Sequence, residues 1–426
     1  MTDDRTRLHG PEFAAAPQAV YQQLRQAGPT APVEIAPDVP ATLVLGYAEA
    51  LQVLRDPANF PKDPRTWQRT VAQGCPVLPL MSFRPNCMFT DGATHARLRG
   101  AVTDALARVD TRELRTHLEE TGDALIDRFA AEGEADLVEQ YARVLPLLMV
   151  TRICGAPPVI SEKIVSGALA LFDGVDGGRG IGTAVAELVA AKRSRPGPDV
   201  VSWLLAHQAG LTDDEAVHQI ALLCSAGSEP LQNLIANTLR LLLVDERFAG
   251  DLSGGSLPVA DALDEVLWSD PPVANYGTVF PPREVQVGGN PVPADQPLLI
   301  SFAGANTDPA VDAGGRVGNR AHVAFGAGRH ACPSPAQRIA RMTGTAAVER
   351  VLDRLPDLEP AVPAEALEWN SGPFHRSLAS LPVRFPPPPK QIRPWLGSPA
   401  PVVRREPGPY RPAGRWAAFS RWLRGG

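Results

Sequence analysis

The chain has 426 residues and a formal net charge of −6, with 44% hydrophobic and 21% charged residues, which is ample material for a globular core. Its five cysteines are scattered without a paired framework, and its start, MTDDRTRLHGPEF, carries acids and no following apolar run. A disulfide scaffold, a signal peptide and a transmembrane helix are therefore not expected, and the expectation is a cytoplasmic protein. From Pro386 onward eight basic residues face one acid, Glu406, so a basic tail hides a more acidic body, which argues against nucleic-acid binding.

In chain order, Thr42–Leu45 reads as a strand, and Tyr47–Leu54 as a helix that stops at Asp56-Pro57. Helical spacing predicts further helices over Thr94–Leu106, Thr111–Ala131, Leu137–Ile153 and Val200–His207. The longest predicted helix, Leu211–Glu246, opens on Thr212 with Glu215 three residues later, a reciprocal N-cap pattern. Pro230 lies in its middle, where it removes a backbone donor and clashes with the preceding turn, so a kink is expected there. A helix over Val259–Trp268 stops at Asp270-Pro271-Pro272, and Val285–Phe302 alternates around Gly288-Gly289 as a hairpin would. One more helix follows Cys332, and Leu381–Phe385 reads as a closing strand. The expected fold class is mainly α with small β-sheets (α+β), a large helical domain with a minor β-rich lobe over residues 1–385. An extended Pro-rich linker, 386–413, and a tail, 414–426, follow.

Chemistry concentrates in AFGAGRHACP, Ala324–Pro333. Three readings of Cys332 compete: a buried structural cysteine, one ligand of a metal site with His330, and a thiolate bound to haem iron. Two glycines permit a sharp turn against a flat cofactor. Nearby amide N–H groups and the start of the next helix favour a negative sulfur.

FGAGRHAC resembles the haem-binding loop of cytochrome P450, Phe-Gly-x-Gly-x-His/Arg-x-Cys, at Phe325, Gly326, Gly328, His330 and Cys332. A chance match in a chain of this length is on the order of one in ten thousand or rarer. The resemblance runs over about residues 15–385. FTDGATHARLRGAVTDAL is similar to the family's C helix, which implies that His95 and Arg99, one turn apart, contact haem propionates. HVAFG implies the same for His322. GANTDP, Gly304–Pro309, matches a sheet-to-loop signature, and SGPFHRSLASLPVRF resembles the hairpin that caps the substrate pocket, with Phe374 a candidate lining residue. Ala226-Gly227-Ser228-Glu229 stands where the family reads Ala/Gly-Gly-x-Asp/Glu-Thr, the acid and alcohol that deliver protons to the oxygen side.

The chain departs from the family at four places, one of them Ser334, flanked by Pro333 and Pro335, where the family usually has a glycine after Cys332. Pro230 replaces the threonine, which leaves Glu229 with Ser228, a water or a substrate hydroxyl to complete the delivery; the bland reading is that Glu229 caps a kink. Glu265 is followed at the third position by Trp268 instead of the arginine of Glu-x-x-Arg, as in a minority bacterial branch, and Glu265 then needs another donor or a proton. The arginine expected near Val273–Pro282 to pair with a propionate is absent, its position falling on Thr278 or Val279, so haem anchoring draws on fewer cations.

The resemblance implies a haem-thiolate monooxygenase with haem b on Cys332. It inserts one oxygen atom from O2 into a small apolar substrate, with electrons from a ferredoxin and an NAD(P)H-dependent reductase. Arg329 belongs to a basic patch suited to docking that donor. Two other readings stand beside it: a haem-binding signalling or ligand-binding component with a decayed relay, and a peroxide-driven oxidase. In the tail, Trp416, Phe419 and Trp422 interleave with Arg415, Arg421 and Arg424, a short basic amphipathic element suited to an acidic partner or a peripheral membrane surface.

Overall fold

Helices dominate the computed structural model, which describes residues 5–172, 179–245, 259–311 and 319–387. The linker beyond 387 and the 414–426 tail lie outside the described residues. Helix Thr111–Ile126 shows why the periodicity was legible. The Asp110 side chain accepts from the amides of Arg112 and Glu113, and Leu114, Leu118 and Leu125 bury one face. That face packs on helix Ser334–Arg354, which also meets helix Glu229–Val244. The predicted extension to Ala131 does not form. Phe129 turns inward edge-on to Phe385, and a 3-10 turn, Ala130–Glu132, leads into a strand.

Proline decides two further departures. The expected helix Leu137–Ile153 is a π-helical turn, Val138–Ala142, followed by a separate helix, Leu145–Ile153, with Pro146 in its first turn. The longest predicted helix is likewise two, Asp213–Ala226 and Glu229–Val244, with Pro230 in the first turn of the second. Pro230 has no N–H for the Ala226 carbonyl four residues back, so the break falls on Gly227-Ser228, just ahead of the proline. The cap at Thr212 and Glu215 forms in both directions. Helices Pro158–Phe172 and Arg179–Ser194, which pack on one another, went unread because Gly167, Gly180 and Gly182 dilute their helical signal.

Strands β1 (Thr6–Arg7), β2 (Thr30–Ala36), β3 (Val39–Val44), β5 (Asn275–Val279) and β8 (Leu298–Ser301) form a sheet in the order β1-β2-β3-β8-β5. β3 runs antiparallel to β2 and parallel to β8, with Thr42 opposite Leu298. A second sheet, β4 (Glu134–Asp136), β10 (Pro382–Arg384) and β9 (Glu359–Pro360), closes the chain. The expected hairpin is confined to β6 (Val285–Val287) and β7 (Asn290–Val292) around Gly288-Gly289. Leu298, Leu299 and Ile300 are fully buried and leave it for the large sheet, because their apolar run needs cover on both faces. No helix of the described residues is long and apolar enough to cross a membrane.

Candidate active site

The cysteine loop is closed by its own backbone: the Cys332 N–H donates to the Phe325 carbonyl at 2.8 Å, around a 3-10 turn at Gly328–His330. Gly326 and Gly328 take φ of 70° and 69°. At Gly328 a Cβ would also collide with the Leu54 carbonyl oxygen, so both backbone angle and close approach require glycine. Cys332 is half-buried and free, as are the four buried cysteines. Burial pushes its thiol up to about 11, and the nearby Arg99 guanidinium opposes the shift without reversing it. The Cys332 amide, taken by Phe325, is not available to the sulfur.

Four basic side chains follow one another beside the loop. His95 Nε2 lies 3.2 Å from the Arg329 carbonyl and its Nδ1 lies 3.1 Å from the Cys87 carbonyl, which pins the helix Gly92–Ala107 to the loop. The His95 and His330 rings meet with centroids 3.9 Å apart, and His330 Nε2 reaches Asp91 at 3.1 Å. Burial lowers both imidazoles, His330 to about 4. Arg99 has its Nε buried without a hydrogen-bond partner. Its charge depresses His95 and the Cys332 thiol alike. Lys62 is buried too, and its charge depresses His330. Burying a guanidinium N–H with no acceptor is unfavourable. Haem suits this donor set: a soft sulfur for iron and cations for its carboxylates.

His322 stands elsewhere. Its Nε2 is 3.0 Å from the Arg341 guanidinium, and its ring lies edge-on to Trp268 at 5.7 Å. Burial, with Arg341 adding to it, lowers the imidazole to about 4. Arg341 belongs to the clasp between helix Val259–Ser269 and the segment before the loop, so His322 is tied to that clasp. In that clasp Asp264 pairs with both Arg341 and Arg320, the latter at 2.9 Å. Trp268 Nε1 donates to the Asn319 carbonyl at 2.7 Å. The GANTDP signature adds Asn306, whose side chain joins the Leu267 carbonyl to the Val323 amide at 2.9 and 2.8 Å.

Across the chain break, the Ser228 hydroxyl donates to the Cys224 carbonyl at 2.6 Å and is buried, so its proton is held by the preceding turn. Glu229, at the first position after the break, lies 3.2 Å from His375 Nδ1 of the closing hairpin. Burial pushes the Glu229 carboxyl up, but His375, with Arg143 further off, outweighs it and holds it below the usual range. Burial lowers His375, and Glu229 outweighs that and raises it. The two shifts both favour the charged pair. Phe374 is buried and edge-on to Tyr276 at 5.4 Å. Beside Tyr276, a small cavity lies between the loop that begins at Lys62 and strand β5, with Met81, Met88, Phe89 and Thr278 in its walls.

Sequence reading missed His375, Lys62, Asp91 and Asp264. His375 sat inside a quoted motif, beside Phe374; Asp264 sits next to Glu265. The partners lie far along the chain, 77 residues in the case of Asp264 and Arg341, and no local spacing announces them.

No family model matches the chain. Among curated proteins it is 31% identical over 388 residues to 2-hydroxy-5-methyl-1-naphthoate 7-hydroxylase of Streptomyces carzinostaticus, covering 85% of this chain and 93% of the relative. It is 30% identical over 398 residues to cytochrome P450 monooxygenase PikC of Streptomyces venezuelae, covering 88% and 92%. Among solved structures, CYP154C4 from Streptomyces sp. ATCC 11861 aligns with a TM-score of 0.80 and 27% identity over 90% of this chain and 98% of that one. Likeness at this level over almost the full length of such relatives means that the chain belongs to the cytochrome P450 family: it is a monooxygenase whose cofactor is haem b on a cysteine thiolate.

Proposed function

We propose that Cys332 supplies the thiolate, that Arg99, His95 and His330 receive the haem carboxylates, and that Phe325, Gly326 and Gly328 shape the loop beneath the ring. The observation that carries this reading is the buried thiol beside an Arg99 guanidinium whose Nε has no partner. When bound, the haem supplies an iron that activates O2 and inserts one oxygen atom into the substrate. The protein's own residues hold and move protons: Glu229, presented by the break at Ala226-Gly227, keeps a carboxylate on the oxygen side, and His375 holds it there as an ion pair. His375 thus takes the positioning role left open by Pro230, while Ser228 stays with its turn.

Residues 1–385 act as the haem domain of a cytoplasmic enzyme. The substrate is small and apolar, and Phe374 of the closing hairpin lines its pocket. Electrons come from a ferredoxin and an NAD(P)H-dependent reductase, with the exposed Arg329 on the docking face. The 414–426 tail is an accessory basic segment for an acidic partner or an anionic membrane surface. In the deciding experiment the haem-loaded protein is reduced under CO. Wild type gives the thiolate-type Soret band and Cys332→Ala loses it entirely; an unchanged band in the variant overturns the assignment.

A further inference from the structure

Lys62 is 8% exposed, and its ammonium donates to the Gly277 and Thr278 carbonyls at 2.7 and 3.1 Å. An ammonium has three N–H donors, and the third has no partner among the described residues. No carboxylate of the described residues pairs with it. The nearest, Asp91, has one oxygen on the Lys62 backbone N–H at 2.7 Å and the other on His330. The Thr278 hydroxyl is buried with no hydrogen-bond partner among the described residues. Lys62 and Thr278 both line the same small cavity. Burying a cation and a hydroxyl with donors unmet is costly, and one carboxylate, with two oxygens, satisfies both.

The surroundings say which carboxylate. Asp91 joins the Lys62 backbone N–H to the His330 ring, the His330 ring is in contact with His95, and Arg99 lies one turn beyond His95 on the same helix. Two basic side chains, neither with an ion-pair partner among the described residues, thus belong to segments tied to one imidazole stack beside the cysteine loop, and haem carries two propionates. We propose that the Lys62 ammonium and the Thr278 hydroxyl form a carboxylate-binding site that holds a haem propionate, with the cation delivered by a loop far in sequence from strand β5. An acid group on the substrate is the other source of the same chemistry. The inference rests on the haem assignment above and goes beyond it.

The test compares binding of haem and of haem dimethyl ester, which lacks both carboxylates, to apoprotein of wild type, Lys62→Met and Lys62→Arg, read as the rate of transfer to apomyoglobin. Far-ultraviolet melting of each apoprotein reports folding separately. Wild type should retain haem better than the ester. Lys62→Met should release haem roughly tenfold to hundredfold faster, the range of one charge-assisted hydrogen bond, with little change for the ester, and Lys62→Arg should recover most of the loss. If haem release is unchanged in Lys62→Met but the spectral shift given by 1-naphthoate, and not by its methyl ester, disappears, the site takes a substrate acid and the propionate assignment falls. If neither changes while the CO band stays thiolate-type, the carboxylate site itself is wrong and the haem reading stands. A wild-type protein that takes up no haem overturns the haem reading instead.

Discussion

The clasp around Trp268 and the break around Pro230 both depart from the family pattern, and they absorb the change differently. At the clasp the lost cation had a mechanical task, tying a helix to the segment before the cysteine loop. Asp264 with Arg341 and Arg320, and the Trp268 indole N–H, perform that task from neighbouring positions. At the break the lost alcohol had a chemical task, and tying is not enough. Glu229 acquires a cationic partner in His375, which orients the carboxylate and makes it harder to protonate. A mechanical task transfers to any pair of groups that span the gap. A proton-handling task transfers only with the right acidity and reach.

Asp264→Asn is the strongest way to break the contrast. It leaves the half-buried Arg341 without its anion and should cost about 3 kcal/mol, the low end for a buried pair because Arg320 is largely exposed. Chemical denaturation of the haem-loaded protein measures it, and a cost under about 1 kcal/mol would mean that the clasp is not held by Asp264. His375→Gln should instead change chemistry more than stability. With Glu229 less firmly held and its acidity altered, hydrogen peroxide release per NAD(P)H should rise several-fold while the CO band stays unchanged; equal coupling in both proteins would remove His375 from the oxygen side.

The pH dependence of that pair sharpens the same point. Glu229 titrates below its usual range, so its contribution to stability is present above the unfolded carboxylate pKa and fades as pH falls through the lowered value. His375 titrates above its usual range, so its contribution is complete below the unfolded imidazole pKa and is lost as pH rises through the raised value. Stability from the pair should therefore plateau between about pH 4.5 and 6.5 and decline on the alkaline side, and His375→Gln should abolish that decline. NMR titration of His375 should give a pKa above the ordinary imidazole value, and a value below it would refute the ion pair. The smallest effect belongs to Trp268→Phe, which removes the donor to Asn319 while keeping apolar area and should cost about 1 kcal/mol.

Much of this was legible in the sequence. The cysteine loop could be read because its constraints are local: glycines at two positive-φ positions, a histidine and the cysteine lie within eight residues, and backbone geometry dictates their types. Helix caps at Thr212 and the stop at Asp56-Pro57 were legible for the same reason. Pro230 announced an interruption but not its form, since deleting one donor permits a kink or a full break, and Gly227-Ser228 tipped it to a break.

The sequence by itself therefore determined the mainly helical architecture, the cofactor loop and the two places where the usual chemistry is altered. Only the tertiary structure decided which distant side chains meet around those places: Asp264 with Arg341, Glu229 with His375, and Lys62 with the Thr278 carbonyl. Each of these pairings joins segments more than seventy residues apart. Burial makes such contacts matter, because a charge removed from water must find its partner wherever the fold brings one within reach.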